Sequence, residues 1–407
     1  MLRAFFRKMY VHNRKGVPTD KPVLLAVNHP TAFVDPCLLC VFLDSPIYNM
    51  TRGDIFRKPF FRKLLESINM FPVFRARDGY ASRGRNDEVF EFCRQKLEQH
   101  RIVTIYVEGE HHLDRHIRPM QKGIARIAFG AYAATPSPDL QIIPAACNYA
   151  FGDRPRDEVS VNVGNPIFVR NYWEEYQIDP NAATSRLLHD IRDALIRLSL
   201  HIEDKDDQPL AEQLLHLVRA EQASALLPIV EYNNRRFLLE KSVCERINHL
   251  SPAEKSDLKS KTDSYARALK KAGLDDAALM HPEWGTPVKM ALFIAGFLPF
   301  LAGYLSSWPV IRTASAVTRK VVKKREFKSS VHMGVGHLFG MLYYFLLFAA
   351  SLFTANPWWI ALALALPVLG WFSKFYRENW TRWLQARRAL RYQLSDNLLL
   401  LRAAIIL

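Results

Sequence analysis

From Pro22 the chain alternates short apolar runs with amphipathic stretches. Val23–Val27, Ile47–Thr51, Met70–Phe74, Ile102–Val107 and Leu140–Tyr149 read as strands, some continuous enough to be buried on both faces. Pro36–Leu43, Phe56–Ser67, Asn86–His100 and Gln121–Ala134 carry helical patterns between them. Strand and helix in regular alternation predict an α/β layered domain with a largely parallel sheet over residues 21–180. Such sheets place their chemistry where loops leave the carboxyl ends of strands. Ahead of this domain, Leu2, Phe5, Phe6, Met9 and Tyr10 recur at helical spacing among Arg3, Arg7, Lys8, Arg14 and Lys15. Residues 1–20 therefore read as an amphipathic segment, lying in a membrane interface or packed on the protein's own core.

Beyond Asn181 the strand signal stops. Ala182–Glu203 and Leu210–Met280 are rich in Leu, Ala, Lys, Arg and Glu at helical spacing, which predicts a helical extension over 181–285. Residues 204–208 and Ser251-Pro252 read as exposed turns.

The last third changes solvent. Met290–Ile311 holds no formal charge, and Leu338–Phe353 and Trp358–Phe372 are two further apolar runs joined by Thr354-Ala355-Asn356-Pro357. A membrane span needs roughly 20 apolar residues, so the first run is long enough and the other two are marginal alone. Trp308, Tyr343, Tyr344, Trp358, Trp359 and Trp371 sit near run ends, and basic residues flank the pair from Arg319 to Lys328 and from Arg377 to Arg391. Both features suit a membrane-embedded helical tail over 286–407 whose basic ends face the cytoplasm. Gly296, Pro299 and Gly303 weaken the first run, so it is expected to dip into the membrane and return. The later pair is expected to form a hairpin turning at Asn356-Pro357.

The 407 residues leave room for these units, and a formal charge of +15 calls for an anionic partner. No recognised nucleic-acid module accompanies the charge, so phospholipid or a phosphorylated substrate is favoured over nucleic acid. Five scattered cysteines do not make a disulfide framework, and Cys37 and Cys40 read as positions on a helix. Arg3, Arg7 and Lys8 interrupt any secretory apolar run.

Candidate chemistry sits at the end of the first predicted strand, in Asn28-His29-Pro30-Thr31-Ala32-Phe33-Val34-Asp35-Pro36. A histidine leaving a strand, with a carboxylate returning to it through a tight loop, supplies a base with a fixed tautomer. Each proline pushes its preceding residue, His29 or Asp35, toward extended geometry. Asp35 then suits a helix N-cap with Pro36 at the first helical position. No Gly-x-Ser-x-Gly element competes for a hydrolase reading. His111, His112, Asp114 and His116 lack zinc-motif spacing, so no metal is expected. Lys122, opening the next helix, is a candidate phosphate contact or simply a solvated position.

The block from Asn28-His29-Pro30 to Asp35-Pro36 resembles the His-to-Asp block of glycerolipid acyltransferases, the group holding glycerol-3-phosphate and lysophosphatidic acid acyltransferases. Met70-Phe71-Pro72-Val73-Phe74-Arg75 resembles the second block, Tyr106-Val107-Glu108-Gly109 the third, and Ile142-Ile143-Pro144-Ala145 the fourth. Five residues separate His29 from Asp35 where four are commonest. Val107 stands where proline is usual, and Glu110 and His111 stand where threonine and arginine are common.

The resemblance implies an acyltransferase domain with His29 as general base and Asp35 orienting it. It implies Arg75 on the acceptor phosphate, with Arg77 in reserve, and Glu108 and Gly109 shaping the acceptor end near His112. It implies an acyl thioester donor, acyl-CoA or acyl-carrier protein, as co-substrate and no bound cofactor. The partners expected are a phospholipid membrane and a phosphorylated glycerol acceptor, with the catalytic domain facing the cytoplasm. Two alternatives stand beside this: another lyso-lipid acceptor, or a non-catalytic basic membrane scaffold.

Overall fold

The structure, a computed structural model, describes residues 1–73, 82–223, 225–391 and 395–405. Its first part runs α1 (Leu2–Phe5), β1 (Lys8–His12), β2 (Val23–Val27), α2 (Val34–Phe42), β3 (Ile47–Arg52), α3 (Pro59–Ser67), β4 (Met70–Val73), α4 (Ser82–Glu98), β5 (Ile102–Tyr106), α5 (Gly123–Ala134), β6 (Gln141–Tyr149), β7 (Glu158–Val163) and β8 (Ile167–Phe168). Among the described residues the strands form one sheet in the order β4-β3-β5-β2-β6-β7-β1, closed at one edge by β9 (Val230–Glu231), with β8 added to β6. All pairings are parallel except β6 with β7 and with β8. The expected largely parallel α/β layering is what forms.

β2 is the centre. All five of its side chains are buried, because β5 and β6 flank it in register and helices cover both faces. Its uninterrupted Val-Leu-Leu-Ala-Val is the composition such a position demands. Crossovers between parallel strands are right-handed. β2 to β3 and β3 to β4 step toward one edge, which puts α2 and α3 on one face; β4 to β5 and β5 to β6 step back, which puts α4 and α5 on the other. Core packing agrees. Leu38 and Leu39 of α2 belong to one apolar cluster, while Cys93 and Leu97 of α4 and Ile124 and Ile127 of α5 belong to the second.

The N-terminal segment corrects the expected amphipathic helix. Only the four residues of α1 and a 3-10 turn at Arg14–Gly16 are helical there, and Lys8–His12 is a strand paired in parallel with β7 and β9. Leu2, Phe5, Phe6, Met9 and Tyr10 are all buried in the protein itself, so the segment packs on the protein's own core as one of the two readings has it, but as a single helical turn followed by a strand. Lys8 is buried too, and its ammonium meets Glu231 at 2.5 Å and the carbonyl of Ala225 at 3.0 Å.

The helical extension comprises α6 (Trp173–Ile178), α7 (Pro180–Leu198), α8 (Gln208–Glu221), α9 (Arg235–His249), α10 (Pro252–Ala272) and α11 (Asp276–Met280). Ser251-Pro252 opens α10 through a capping box with Glu254 rather than forming a free turn. Buried charges fasten the extension to the sheet. Arg219 of α8 and Arg236 of α9 both bond Glu240, and Arg236 also faces Glu158 on β7 at 3.7 Å. The short strand β9 lies within this region, where no strand was expected.

The tail consists of α12 (Val288–Val321), α13 (Lys328–Leu352) and α14 (Pro357–Arg391), followed by α15 (Ser395–Ala403). The first three are long and apolar enough to cross a membrane. α12 corrects the expected broken dip, for it is one continuous helix with Pro299 and Pro309 inside it. Proline removes one donor each time, and packing on α14 holds the helix together. The approach is close: a Cβ on Gly303 would lie 2.0 Å from the carbonyl oxygen of Leu369.

Both ends of α12 nevertheless return to the globular body. Just before its start the His281 Nε2 bonds the Glu221 carbonyl of α8 at 2.9 Å, and just past its end Arg325 pairs with Asp153 at 3.1 Å. A helix of this length measures roughly 50 Å at 1.5 Å per residue, and along that length it packs on α14 and α13. α13 and α14 form the expected hairpin, turning at residues 353–356. Its base is tied down by Ser329 to the Gly152 carbonyl (2.7 Å), Lys374 to the Ala4 carbonyl (3.1 Å) and Arg156 to Glu378 (2.6 Å).

Candidate active site

The loop leaving β2 is fixed before any catalytic atom is placed. The Asn28 side chain donates to the Cys147 carbonyl at 3.1 Å and accepts the Cys147 amide at 2.8 Å, locking the loop to β6. His29 follows immediately. Its Nδ1 lies 2.8 Å from Asp35 Oδ2, the carboxylate being fully buried and the imidazole nearly so.

Asp35 corrects one expectation. It is not the N-cap of α2, a position held by Phe33, but lies within the first turn. Its carboxylate turns back into the loop instead, where it takes four bonds: His29 Nδ1, the Thr31 amide (2.9 Å), the Thr31 hydroxyl (2.8 Å) and the Tyr149 hydroxyl (2.5 Å). Four donors saturate an ionised carboxylate. With an acceptor on Nδ1, the imidazole carries its proton there and offers the Nε2 lone pair.

Aromatic rings hold the imidazole plane. Tyr106, from the end of β5, stacks on His29 with centroids 3.7 Å apart, and His111 meets it edge-on at 4.0 Å. Burial, then the charge of Asp35, pushes the Tyr106 and Tyr149 phenols well above 10, so both stay protonated. The cysteines do not compete as nucleophiles. Burial, with Cys40 and Asp35 adding to it, pushes Cys37 up to about 12, and burial followed by Asp35 raises Cys147 well above 9. Cys37 and Cys40 sit on α2, as the helical reading has it.

A second pair lies beside the first. Glu108 Oε2 accepts His112 Nε2 at 2.6 Å and the Arg118 amide at 2.8 Å, and the His112 amide donates to the His29 carbonyl at 3.3 Å. Glu108 Oε1 and His112 Nδ1 are buried with no hydrogen-bond partner among the described residues. Both residues line a cavity of about 560 Å³ with Asn28, Pro30, Lys205 and Arg325. Gly109 permits the turn that presents Glu108: its φ is +71°, and a Cβ would sit 3.1 Å from the Gln121 side chain.

The structure thus brings together His29, Asp35, Glu108, Gly109 and His112 at the carboxyl ends of β2 and β5. Lys122 is exposed at the start of α5 and is not among the residues lining the cavity. Arg75 and Arg77 lie outside the described residues. Asp114 and His116 go to other partners, Arg118 at 3.0 Å and the Ile202 carbonyl at 3.0 Å.

Thr31, Tyr106 and Tyr149 join the site without having been singled out by sequence. So does the tail: Phe327, in the turn before α13, meets His111 edge-on at 5.1 Å, and the Phe33 amide donates to Ser330 Oγ at 2.8 Å.

Residues 8–148 match the Acyltransferase family. A 205-residue stretch is 28% identical to Glycerol-3-phosphate O-acyltransferase 2 of Saccharomyces cerevisiae, covering 49% of this chain and 26% of that protein. Glycerol-3-phosphate O-acyltransferase 1 of the same yeast is 23% identical over 163 residues, 39% of this chain and 22% of its own length. The chain spans about a quarter of the length of these curated relatives. The solved 1-acyl-sn-glycerophosphate acyltransferase PlsC of Thermotoga maritima overlays with a TM-score of 0.32 at 14% identity, covering 46% of this chain and 72% of that one, a likeness too slight to carry an argument.

Proposed function

We propose, from the premise that residues 8–148 form an acyltransferase domain of the glycerolipid type, that this chain moves a fatty acyl group from an acyl thioester to a hydroxyl of glycerol 3-phosphate or lysophosphatidic acid. The observation that carries the reading is His29, held through Nδ1 by a saturated Asp35 and left with Nε2 as the available base. Nε2 takes the proton of the acceptor hydroxyl as its oxygen attacks the thioester carbonyl. The carbon–sulfur bond breaks, and the leaving thiolate takes that proton back from the imidazolium. Asp35 stabilises the charged imidazole and keeps its tautomer.

Glu108 Oε1 and His112 Nδ1 are both acceptors once their shared bond is made, so they suit hydroxyl groups of the acceptor and not its phosphate. The phosphate falls to cations. Arg75 is the proposed partner on the family pattern, Arg77 its reserve, and Lys122 a further candidate; a guanidinium fork fits phosphate oxygens best. The donor is acyl-CoA or acyl-carrier protein. The three apolar helices hold the chain on a phospholipid membrane, with the catalytic body on the cytoplasmic side where such thioesters are found.

The test is free-thiol release from acyl-CoA by the purified chain, offered glycerol 3-phosphate, lysophosphatidic acid and lyso-phospholipids in turn. Release that depends on one of the first two is expected. Release only with another lyso-lipid would reassign the acceptor, and none with any acceptor while vesicle binding persists would leave the basic membrane scaffold.

A further inference from the structure

α3 exposes its apolar residues as fully as its charged ones, with Leu65 alone half-buried among its described side chains. Phe60 and Leu64 of α3 and Ile68, the residue that ends it, follow one another at i, i+4 and i+8 along one side, and are 73%, 48% and 47% exposed. Arg62 and Glu66 fall on the opposite side at 100° per residue, Lys63 borders the stripe, and Lys58 precedes it; all four are exposed. Ile55 ahead of α3 and Val41 on α2 extend the exposed apolar surface. A soluble helix would turn this face inward.

The sheet's handedness says what lies beside it. α2 and α3 cover the same face, and Met333 of α13 and Phe375 of α14 pack into the cluster that α2 builds there. The apolar tail and the α3 stripe therefore share one side of the molecule, with Phe33 of the catalytic loop, itself 39% exposed, on that side as well. A basic-rimmed apolar stripe on the same side as apolar helices is the pattern of a surface seated on an anionic monolayer.

We propose that Phe60, Leu64 and Ile68 form a second membrane contact, pressing the catalytic body's α2–α3 face onto the lipid headgroup boundary at a distance from the tail. Lys58 and Lys63 bury their stems along the stripe and carry their ammonium groups to lipid phosphates. Two separated contacts on one side of the molecule fix the orientation of the catalytic body, with Phe33 of the β2 loop exposed on that side.

The experiment reads depth and needs no enzymatic activity. In the full chain with Cys37→Ala and Cys40→Ala, an environment-sensitive fluorophore is placed by Leu64→Cys, Ile68→Cys, Glu66→Cys or Ile178→Cys, one at a time. Ile178, 87% exposed at the end of α6, packs with the other sheet face through its helix and serves as the control. In vesicles of phosphatidylcholine and phosphatidylglycerol carrying nitroxide lipids, labels at 64 and 68 should be quenched severalfold more than those at 66 and 178. Equal quenching at all four positions, or none at 64 and 68, would overturn the proposal. Labels at 64 and 68 shielded without nitroxide quenching, together with a doubled mass in detergent, would assign the stripe to a second copy of the chain and overturn it too.

Discussion

His29 meets Asp35 through Nδ1, whereas His112, one strand away, meets Glu108 through Nε2. The two pairs have similar lengths, 2.8 and 2.6 Å, and both are buried. They differ in completion. Asp35 accepts four bonds and has nothing left to offer, while Glu108 Oε1 and His112 Nδ1 lack partners among the described residues. A buried polar atom without a partner costs about 1–3 kcal/mol, which an ordered water or a bound ligand relieves. On the proposed function the saturated pair holds the base and the unsaturated pair receives the acceptor.

That contrast fails or holds on the first substitution. His29→Ala removes the base and should cut kcat by about 10²–10⁴-fold. Asp35→Asn keeps the shape but cannot hold the Nδ1–H tautomer as a carboxylate does, and should approach the same loss in a protein that folds normally. Near-normal turnover by a well-folded His29→Ala chain would end the assignment of His29 as base.

Substitution in the other pair should read differently. Glu108→Gln replaces one free acceptor by an amide and weakens a charge-assisted bond worth about 1.5–3 kcal/mol. The acceptor KM should rise roughly 10- to 100-fold at 1.4 kcal/mol per decade, with a smaller fall in kcat and the donor KM held. His112→Ala should follow the same split. A loss confined to kcat in both would make Glu108–His112 part of the base rather than the acceptor site, and the comparison would collapse.

Much of this was legible in the chain because the governing interactions are local. His29 and Asp35 lie in one loop, and the buried strands β2 and β5 announce themselves as unbroken apolar runs. Thr31, Tyr106 and Tyr149 were not legible. Thr31 lies in the His29–Asp35 loop, but nothing in its sequence marks its amide and hydroxyl as folding back on Asp35. Tyr106 and Tyr149 reach the site only once β2 pairs with β5 and β6, placing Val27 opposite Tyr106 and Ala145. Likewise Leu2, Phe5, Phe6 and Met9 fit a helical period, yet a sheet edge between β7 and β9 claims the second half of the segment as strand. In α12, Pro299 signalled a break that tertiary packing against α14 overrides.

The smallest effect tests whether the tail belongs to the saturated pair or merely anchors it. Phe33 is the residue before α2, so its amide is one that the helix's own backbone leaves unpaired. Ser330 Oγ accepts it across a separation of 297 residues. Asp35 sits two positions further on, so the hydroxyl steadies the turn that aims the carboxylate. Ser330→Ala removes a bond worth about 1 kcal/mol, which corresponds to roughly a fivefold fall in kcat if the strain appears in the transition state. Both substrate KM values should stay put, because no substrate atom is touched, and Ser330→Thr, which keeps the hydroxyl, should recover much of the loss. Unchanged kcat in Ser330→Ala would show that α13 anchors the chain without tuning the loop. A fall that Ser330→Thr repairs would make the first turn of a membrane helix a positioning element for His29, and would explain why Phe327 and Ser330 are carried on the tail and not on the sheet.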